Sequence, residues 1–275
     1  MHFTTRDGVR LNVKSWGTGR PVILIHGWPL SADTWDDTAI AIADAGMRAI
    51  AYDRRGFGRS EQPWEGYDYD TLADDLAAVI EGTKATDAAL VGFSMGGGEV
   101  ARYLSRHGAG RISHAALVAS IVPYMLKTSD NPNGVDHSVF DGMTLAMKKD
   151  RAAFFAQFFK DFFGAGMLTS PVSSEVLDWA WNLAMMASLK ATLACAFAFA
   201  TTDFRGDLAS FTVPTLVIHG TADKTVPIDV SGRAAAAAIK GARIIEYEGA
   251  PHGLFATHKD QLARDLLSFL GGIKN

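Results

Sequence analysis

A serine set among glycines stands at Gly92-Phe93-Ser94-Met95-Gly96-Gly97-Gly98, directly after the apolar run Ala88 to Val91 and directly before a helical pattern. This is G-x-S-x-G between a strand and a helix, the context in which a sharp turn lifts a serine Oγ clear of the backbone. Such a turn strains the serine and needs glycine beside it, because a Cβ would collide with the neighbouring strand and helix. The following helix turns its free N–H groups towards whatever binds at Ser94. Two phosphate-binding readings fail on the residues. G-x-G-x-x-G would need glycine where Ser94 stands, and no Gly-Lys-Ser or Gly-Lys-Thr follows a glycine cluster.

A serine hydroxyl is a poor nucleophile at neutral pH, so a base must take its proton and a third group must orient that base. In hydrolases built on this turn the partners follow in the order Ser, Asp or Glu, His, each on a loop after a later strand. Asp223 lies just past the apolar run Thr215 to Ile218, where the acid is expected, and His252 lies just past the strand pattern Arg243 to Tyr247, where the base is expected. The rivals fit less well. Asp229 falls inside a helical pattern, Asp203 and Asp207 precede the strand, His258 opens a helix, and His219 ends its strand near the core. The seven other histidines are expected to be structural or solvated.

Attack on a carbonyl makes an oxyanion, which two preorganised N–H donors stabilise by several kcal/mol. Met95, next to the serine, supplies one. Trp28, in the loop His26-Gly27-Trp28-Pro29-Leu30 after the first buried strand, supplies the other. Pro29 has no N–H and pushes Trp28 towards an extended conformation. Metal chemistry is not expected, since there is no H-E-x-x-H and His252 and His258 are not spaced i, i+4. The lone Cys195 excludes an internal disulfide and reads as a buried small hydrophobe. Asp53 to Ser60 reads as a charged structural turn, and Asp68, Asp70, Asp74 and Asp75 as acidic residues around a helix start.

The elements that must hold these residues follow from hydrophobic patterning. Phe3 to Trp16 reads as a hairpin turning at Asp7-Gly8. Continuous apolar runs at Val22 to Ile25, Arg48 to Tyr52, Ala88 to Val91, Ala115 to Val118 and Thr215 to Ile218 have the form of strands buried on both faces. Between them lie helical patterns at Trp35 to Ala45, Thr71 to Glu81, Gly97 to Arg106, Ile228 to Ile239 and Lys259 to Leu270. Alternation of this kind predicts a doubly wound, mostly parallel α/β sheet with its chemistry at the carboxyl ends of the strands.

The alternation breaks between about Val122 and Val213, where helical patterns follow one another with no strand between them. Residues 122–211 are expected to form an inserted helical cap, and residues 1–121 with 212–275 the core. Eleven of the 16 phenylalanines fall between 140 and 211, and Phe154, Phe155, Phe158, Phe159, Phe162 and Phe163 recur along one side of a helix. Most of such a stripe should pack the cap onto the core, with one or two rings lining an apolar acyl pocket. Pro29, Phe93, Met125, Phe158, Phe162 and Val226 are the expected pocket residues.

The 275 residues are 48% hydrophobic and 20% charged, which excludes disordered, collagen-like and coiled-coil classes. A net charge of −4 without a basic stretch argues against nucleic acid, and no apolar run approaches the ~20 residues of a membrane span. Residues Met1 to Asp7 show no basic flank leading into an apolar core, so no secretory signal is expected there and the location expected is cytoplasmic.

Taken together, His26-Gly27-Trp28-Pro29, Asp53-Arg54-Arg55-Gly56-Phe57-Gly58-Arg59-Ser60, Gly92 to Gly98, His219-Gly220 through Asp223 with Val226-Pro227, and Pro251-His252-Gly253 resemble the α/β-hydrolase superfamily, and within it the cofactor-free haloperoxidases, arylesterases and perhydrolases. The resemblance runs from the first hairpin to the last helix and includes Asp150-Arg151 and Thr202-Asp203-Phe204 of the cap. It implies an α/β-hydrolase fold, with Ser94 as nucleophile, Asp223 as acid, His252 as base, and Trp28 and Met95 as oxyanion donors. It implies hydrolysis of small carboxylic esters, and formation of peracids from carboxylic acids and hydrogen peroxide, with no metal or other cofactor. Proline at position 29 is similar to the better perhydrolases. Thr221-Ala222 departs from relatives that carry a further acidic residue there.

The partners expected are a small ester or acid, hydrogen peroxide and, in a homo-oligomer, further copies of the chain. γ-Lactam hydrolysis and acyl transfer are the alternative activities on the same triad. Epoxide hydrolases and haloalkane dehalogenases would need Asp where Ser94 stands, and a non-catalytic binding module of this fold usually has a broken triad.

Overall fold

A computed structural model describes residues 1–166 and 170–271. Among these residues eight strands form one sheet in the order β1-β2-β4-β3-β5-β6-β7-β8. They are β1 (His2–Thr4), β2 (Arg10–Trp16), β3 (Pro21–Ile25), β4 (Arg48–Tyr52), β5 (Ala88–Phe93), β6 (Ile112–Val118), β7 (Thr215–Gly220) and β8 (Arg243–Tyr247). The hairpin β1–β2 is antiparallel, with Phe3 opposite Leu11, and β2 runs antiparallel to β4; every other pairing is parallel. Gly8 takes a φ of +90° in the hairpin turn, a conformation open to glycine and unfavourable for other residues.

The central parallel strands are buried on both faces, which explains their unbroken apolar sequences: Val22 to Ile25, Ala88 to Val91 and Ala115 to Val118 are almost wholly removed from solvent, whereas β8 at the sheet edge is largely exposed. Helices α1 (Asp36–Asp44), α2 (Tyr69–Gly82) and α3 (Met95–His107) alternate with β3 to β6. Helix α2 starts two residues before its apolar pattern because the Asp68 carboxylate caps it, accepting the Thr71 N–H at 3.0 Å.

Between β6 and β7 the chain forms α4 (His137–Phe163), α5 (Ser174–Met186) and α6 (Leu189–Thr201), with no sheet strand among the described residues between them. Helix α4 is interrupted at Asp150, whose backbone is extended (φ −158°, ψ 90°) and whose carboxylate accepts the Ala153 N–H at 2.9 Å, restarting the helix with its own cap. Past this break Phe155, Phe159, Phe162 and Phe163 are fully buried.

After β7 come α7 (Gly232–Ala238), α8 (Leu254–Thr257) and α9 (Lys259–Leu270). The expectation of one helix over Ile228 to Ile239 is corrected here. A short 3-10 turn, Ile228–Val230, is separated from α7 at Ser231, whose hydroxyl donates to the Pro227 carbonyl at 2.7 Å and whose backbone leaves helical geometry. Among the described residues no single helix is long and apolar enough to cross a membrane; the apolar pair α5 and α6 meets at a 100° bend.

Candidate active site

Ser94 occupies the turn between β5 and α3 with φ +53° and ψ −118°, a region that non-glycine residues rarely enter. The turn closes because its neighbours lack side chains. A Cβ at Gly92 would come 2.5 Å from the Gly96 carbonyl oxygen, and one at Gly96 would come 2.5 Å from that of Ile25. The Ser94 N–H donates to Val118 O at 2.8 Å, tying the turn to the end of β6.

Asp223 and His252 reach Ser94 from loops after β7 and β8. These loops are joined by Thr221 N–H to Tyr247 O at 3.0 Å and Ala222 N–H to Ala250 O at 3.1 Å. His252 Nδ1 lies 2.6 Å from Asp223 Oδ2 and its Nε2 lies 2.9 Å from Ser94 Oγ. A carboxylate oxygen only accepts, so Nδ1 carries the hydrogen and Nε2 is free to accept from the Ser94 hydroxyl. The ring is buried between Phe162, edge-on at 4.8 Å, and Phe93 at 5.1 Å.

The Asp223 carboxylate is fully enclosed but well provided with donors. Oδ1 accepts the N–H groups of Thr225 at 2.9 Å and Val226 at 2.8 Å, and Oδ2 faces both His252 and, at 3.2 Å, His219 Nε2. Burial by itself favours the neutral acid, but His252 and the hydrogen bonds from the two imidazoles outweigh it and hold the carboxyl well below the usual carboxylate range. His219 is buried in β7 as its sequence position suggests; its contact with Asp223 was not expected, since i, i+4 spacing across a strand end carries no contact signal.

Beside Ser94 runs the loop after β3. Gly27 lets it approach, because a Cβ there would come 2.7 Å from the Phe93 ring and 3.0 Å from Ser94 Cβ. The backbone N–H groups of Trp28 and Met95 donate to no acceptor among the described residues. Behind the loop, Arg54 N–H donates to His26 Nε2 at 3.0 Å, Arg54 Nη2 donates to His26 O at 2.7 Å, and Arg54 Nε donates to Glu99 Oε1 at 2.6 Å. His26 is thereby structural, and burial together with the Arg54 charge holds its imidazole well below the usual range. Glu99 belongs to α3, so this buried network connects the Trp28 loop with the helix that carries Met95.

A cavity of about 360 Å³ opens on Ser94 and Trp28. Met125, Phe158 and Val226 line it, with Phe140, Met143 and Phe199, which come from two helices whose facing the sequence does not reveal. Three expected pocket residues lie off its wall. Phe93 and Phe162 are fully buried against His252, and Pro29 is enclosed in the turn that Leu30 N–H closes on Gly27 O at 3.0 Å, where its peptide to Trp28 is cis. Cys195 is buried away from the cavity wall, and burial pushes its thiol up to about 12. Among the described residues no group of three His, Cys, Asp or Glu side chains is placed to hold a metal ion.

This sheet order, with a serine on the β5–α3 turn and the Asp and His after β7 and β8, defines a class, and the comparison agrees: residues 20–259 match the alpha/beta hydrolase fold family, to which the chain belongs. Within that family it falls among the non-heme haloperoxidases and esterase/perhydrolases. It is 45% identical over 269 residues to the non-heme chloroperoxidase CPO-A1 of Kitasatospora aureofaciens, covering 97% of this chain and 98% of the relative. It is 40% identical to the bifunctional esterase/perhydrolase DCH of Acinetobacter calcoaceticus, covering 98% and 99%. Among solved structures, a bromoperoxidase from Bacillus anthracis matches with a TM-score of 0.95 at 44% identity, covering 98% of this chain and all (100%) of that one.

Proposed function

We propose that this chain is a serine hydrolase of small carboxylic esters which also forms peracids from carboxylic acids and hydrogen peroxide. The single observation that carries the proposal is His252 held between Ser94 Oγ at 2.9 Å and Asp223 Oδ2 at 2.6 Å. His252 Nε2 takes the proton as Ser94 Oγ attacks the ester carbonyl, and Asp223 keeps the imidazole oriented and stabilises its positive charge. The free N–H groups of Trp28 and Met95 receive the oxyanion. His252 returns the proton to the departing alcohol, or, when the substrate is a carboxylic acid, to the hydroxyl that departs as water, leaving an acyl group on Ser94. Water resolves that acyl group to an acid, and hydrogen peroxide resolves it to a peracid. The scheme uses no metal and no cofactor.

The relatives support both outcomes, since one is named a bifunctional esterase/perhydrolase and another a non-heme chloroperoxidase. The cavity, walled by Met125, Met143, Phe140, Phe158 and Phe199, suits a small apolar acyl group. In this reading residues 122–211 act as a cap over the core, and the enzyme works in the cytoplasm, in keeping with its single cysteine.

The test is p-nitrophenyl acetate hydrolysis, and peracid formation from acetate and hydrogen peroxide, by the wild type and Ser94→Ala without added metal. Both activities are expected in the wild type and neither in the variant. Hydrolysis that survives the substitution would overturn the assignment.

A further inference from the structure

His219 has no part in the scheme above, yet it touches the acid. Its Nε2 stands 2.9 Å from the Val226 carbonyl oxygen and 3.2 Å from Asp223 Oδ2, the oxygen that meets His252. Both neighbours accept only, so Nε2 carries the hydrogen. Nδ1 is buried with no hydrogen-bond partner among the described residues, and the ring packs on Gly232, where a Cβ would come 2.7 Å from that nitrogen. A hydrogen on Nδ1 would be a buried donor without an acceptor, so the surroundings satisfy the Nε2–H tautomer and no other.

We infer that His219 is a positioning residue for the acid of the triad. Its Nε2–H, bonded to Val226 O with Asp223 Oδ2 3.2 Å from the same nitrogen, ties the turn 223–226 to β7 and fixes the rotation of the carboxylate, so that Oδ2 is presented to His252 Nδ1. The Oδ1 side is already held by two backbone N–H groups, from Thr225 and Val226. Without His219 the Oδ2 side would rest on His252 alone, the group whose charge changes in every turnover. A second donor that keeps its hydrogen throughout lets the carboxylate stay still while the base cycles. The inference rests on the reading of Ser94, Asp223 and His252 given above.

The 275-residue chain tests it. His219→Phe keeps the ring and removes the donor; His219→Gln places an amide N–H where Nε2 stood. The expected result is a kcat about 10-fold lower in His219→Phe at nearly unchanged KM, with His219→Gln restored to within about three-fold of the wild type. The downfield proton resonance of the His252–Asp223 hydrogen bond should move in His219→Phe and hold its place in His219→Gln. A folded His219→Phe with wild-type kcat and an unmoved resonance would overturn the inference, as would a His219→Gln no better than His219→Phe. If His219→Phe does not fold, His219→Asn, whose amide ends near the Nδ1 position, is read in its place against the same outcomes. The resonance is recorded without substrate, so it tests the His219 contact even if turnover proves independent of Ser94.

Discussion

His252 Nε2 lies 2.9 Å from Ser94 Oγ although 158 residues separate them along the chain. Two loops from the far side of the sheet and one strained turn at its centre must all be correctly placed for that distance to exist. The strain at Ser94 is sustained by the close approach of β5, α3 and the Gly27 loop around it.

In the proposed scheme the imidazole needs the tautomer that the Asp223 contact favours. Asp223→Asn should leave the fold intact and lower kcat on p-nitrophenyl acetate by on the order of 10⁴, because an amide can donate to Nδ1 and so favours the wrong tautomer. Steady-state kinetics decide this, and near-normal turnover would move the acid elsewhere.

The same carboxylate makes stability depend on pH. Its folded-state pKa lies below its unfolded value of about 3.9, so its contribution is complete above that value and is lost as pH falls through the folded one. Urea midpoints should therefore show the wild type's advantage over Asp223→Asn constant from pH 7 to about pH 5, and shrinking below about pH 4.

Phe158 and Phe162 sit one helical turn apart on α4 and should respond differently to truncation. Phe162→Ala empties a fully buried site beside His252 and should cost about 3–5 kcal/mol of stability by chemical denaturation. Phe158→Ala enlarges the cavity wall, and should raise kcat/KM for butyrate or longer esters relative to acetate.

Arg54 and Glu99 form an ion pair with both side chains fully buried, between the Trp28 loop and α3. Glu99→Ala leaves the guanidinium uncompensated and should destabilise the protein by about 3–5 kcal/mol, measured as a fall in the denaturant midpoint.

Much of this architecture is legible in the sequence for a physical reason. Strands buried on both faces must be apolar without interruption, and β5 and β7 fall where Ala88 to Val91 and Thr215 to Ile218 predict them. A turn as tight as that at Ser94 must be flanked by glycine, so Gly92 and Gly96 betray it. The rest depends on packing between distant segments. Nothing local distinguishes Phe158, on the cavity wall, from Phe162, in the core, since both belong to one stripe. Helix α4 breaks at Asp150, and α7 is cut off at Ser231, through side-chain bonds to the backbone that hydrophobic periodicity cannot register. His219 reads as an ordinary strand residue until the 223–226 turn folds its acid back onto it.

Whether Ser94 is the nucleophile is decided by mass spectrometry of the chain after treatment with a serine-directed fluorophosphonate. One adduct is expected, on the peptide containing Ser94, with no adduct on Ser94→Ala. An adduct that persists in the variant, or a folded wild type that remains unlabelled, would contradict it.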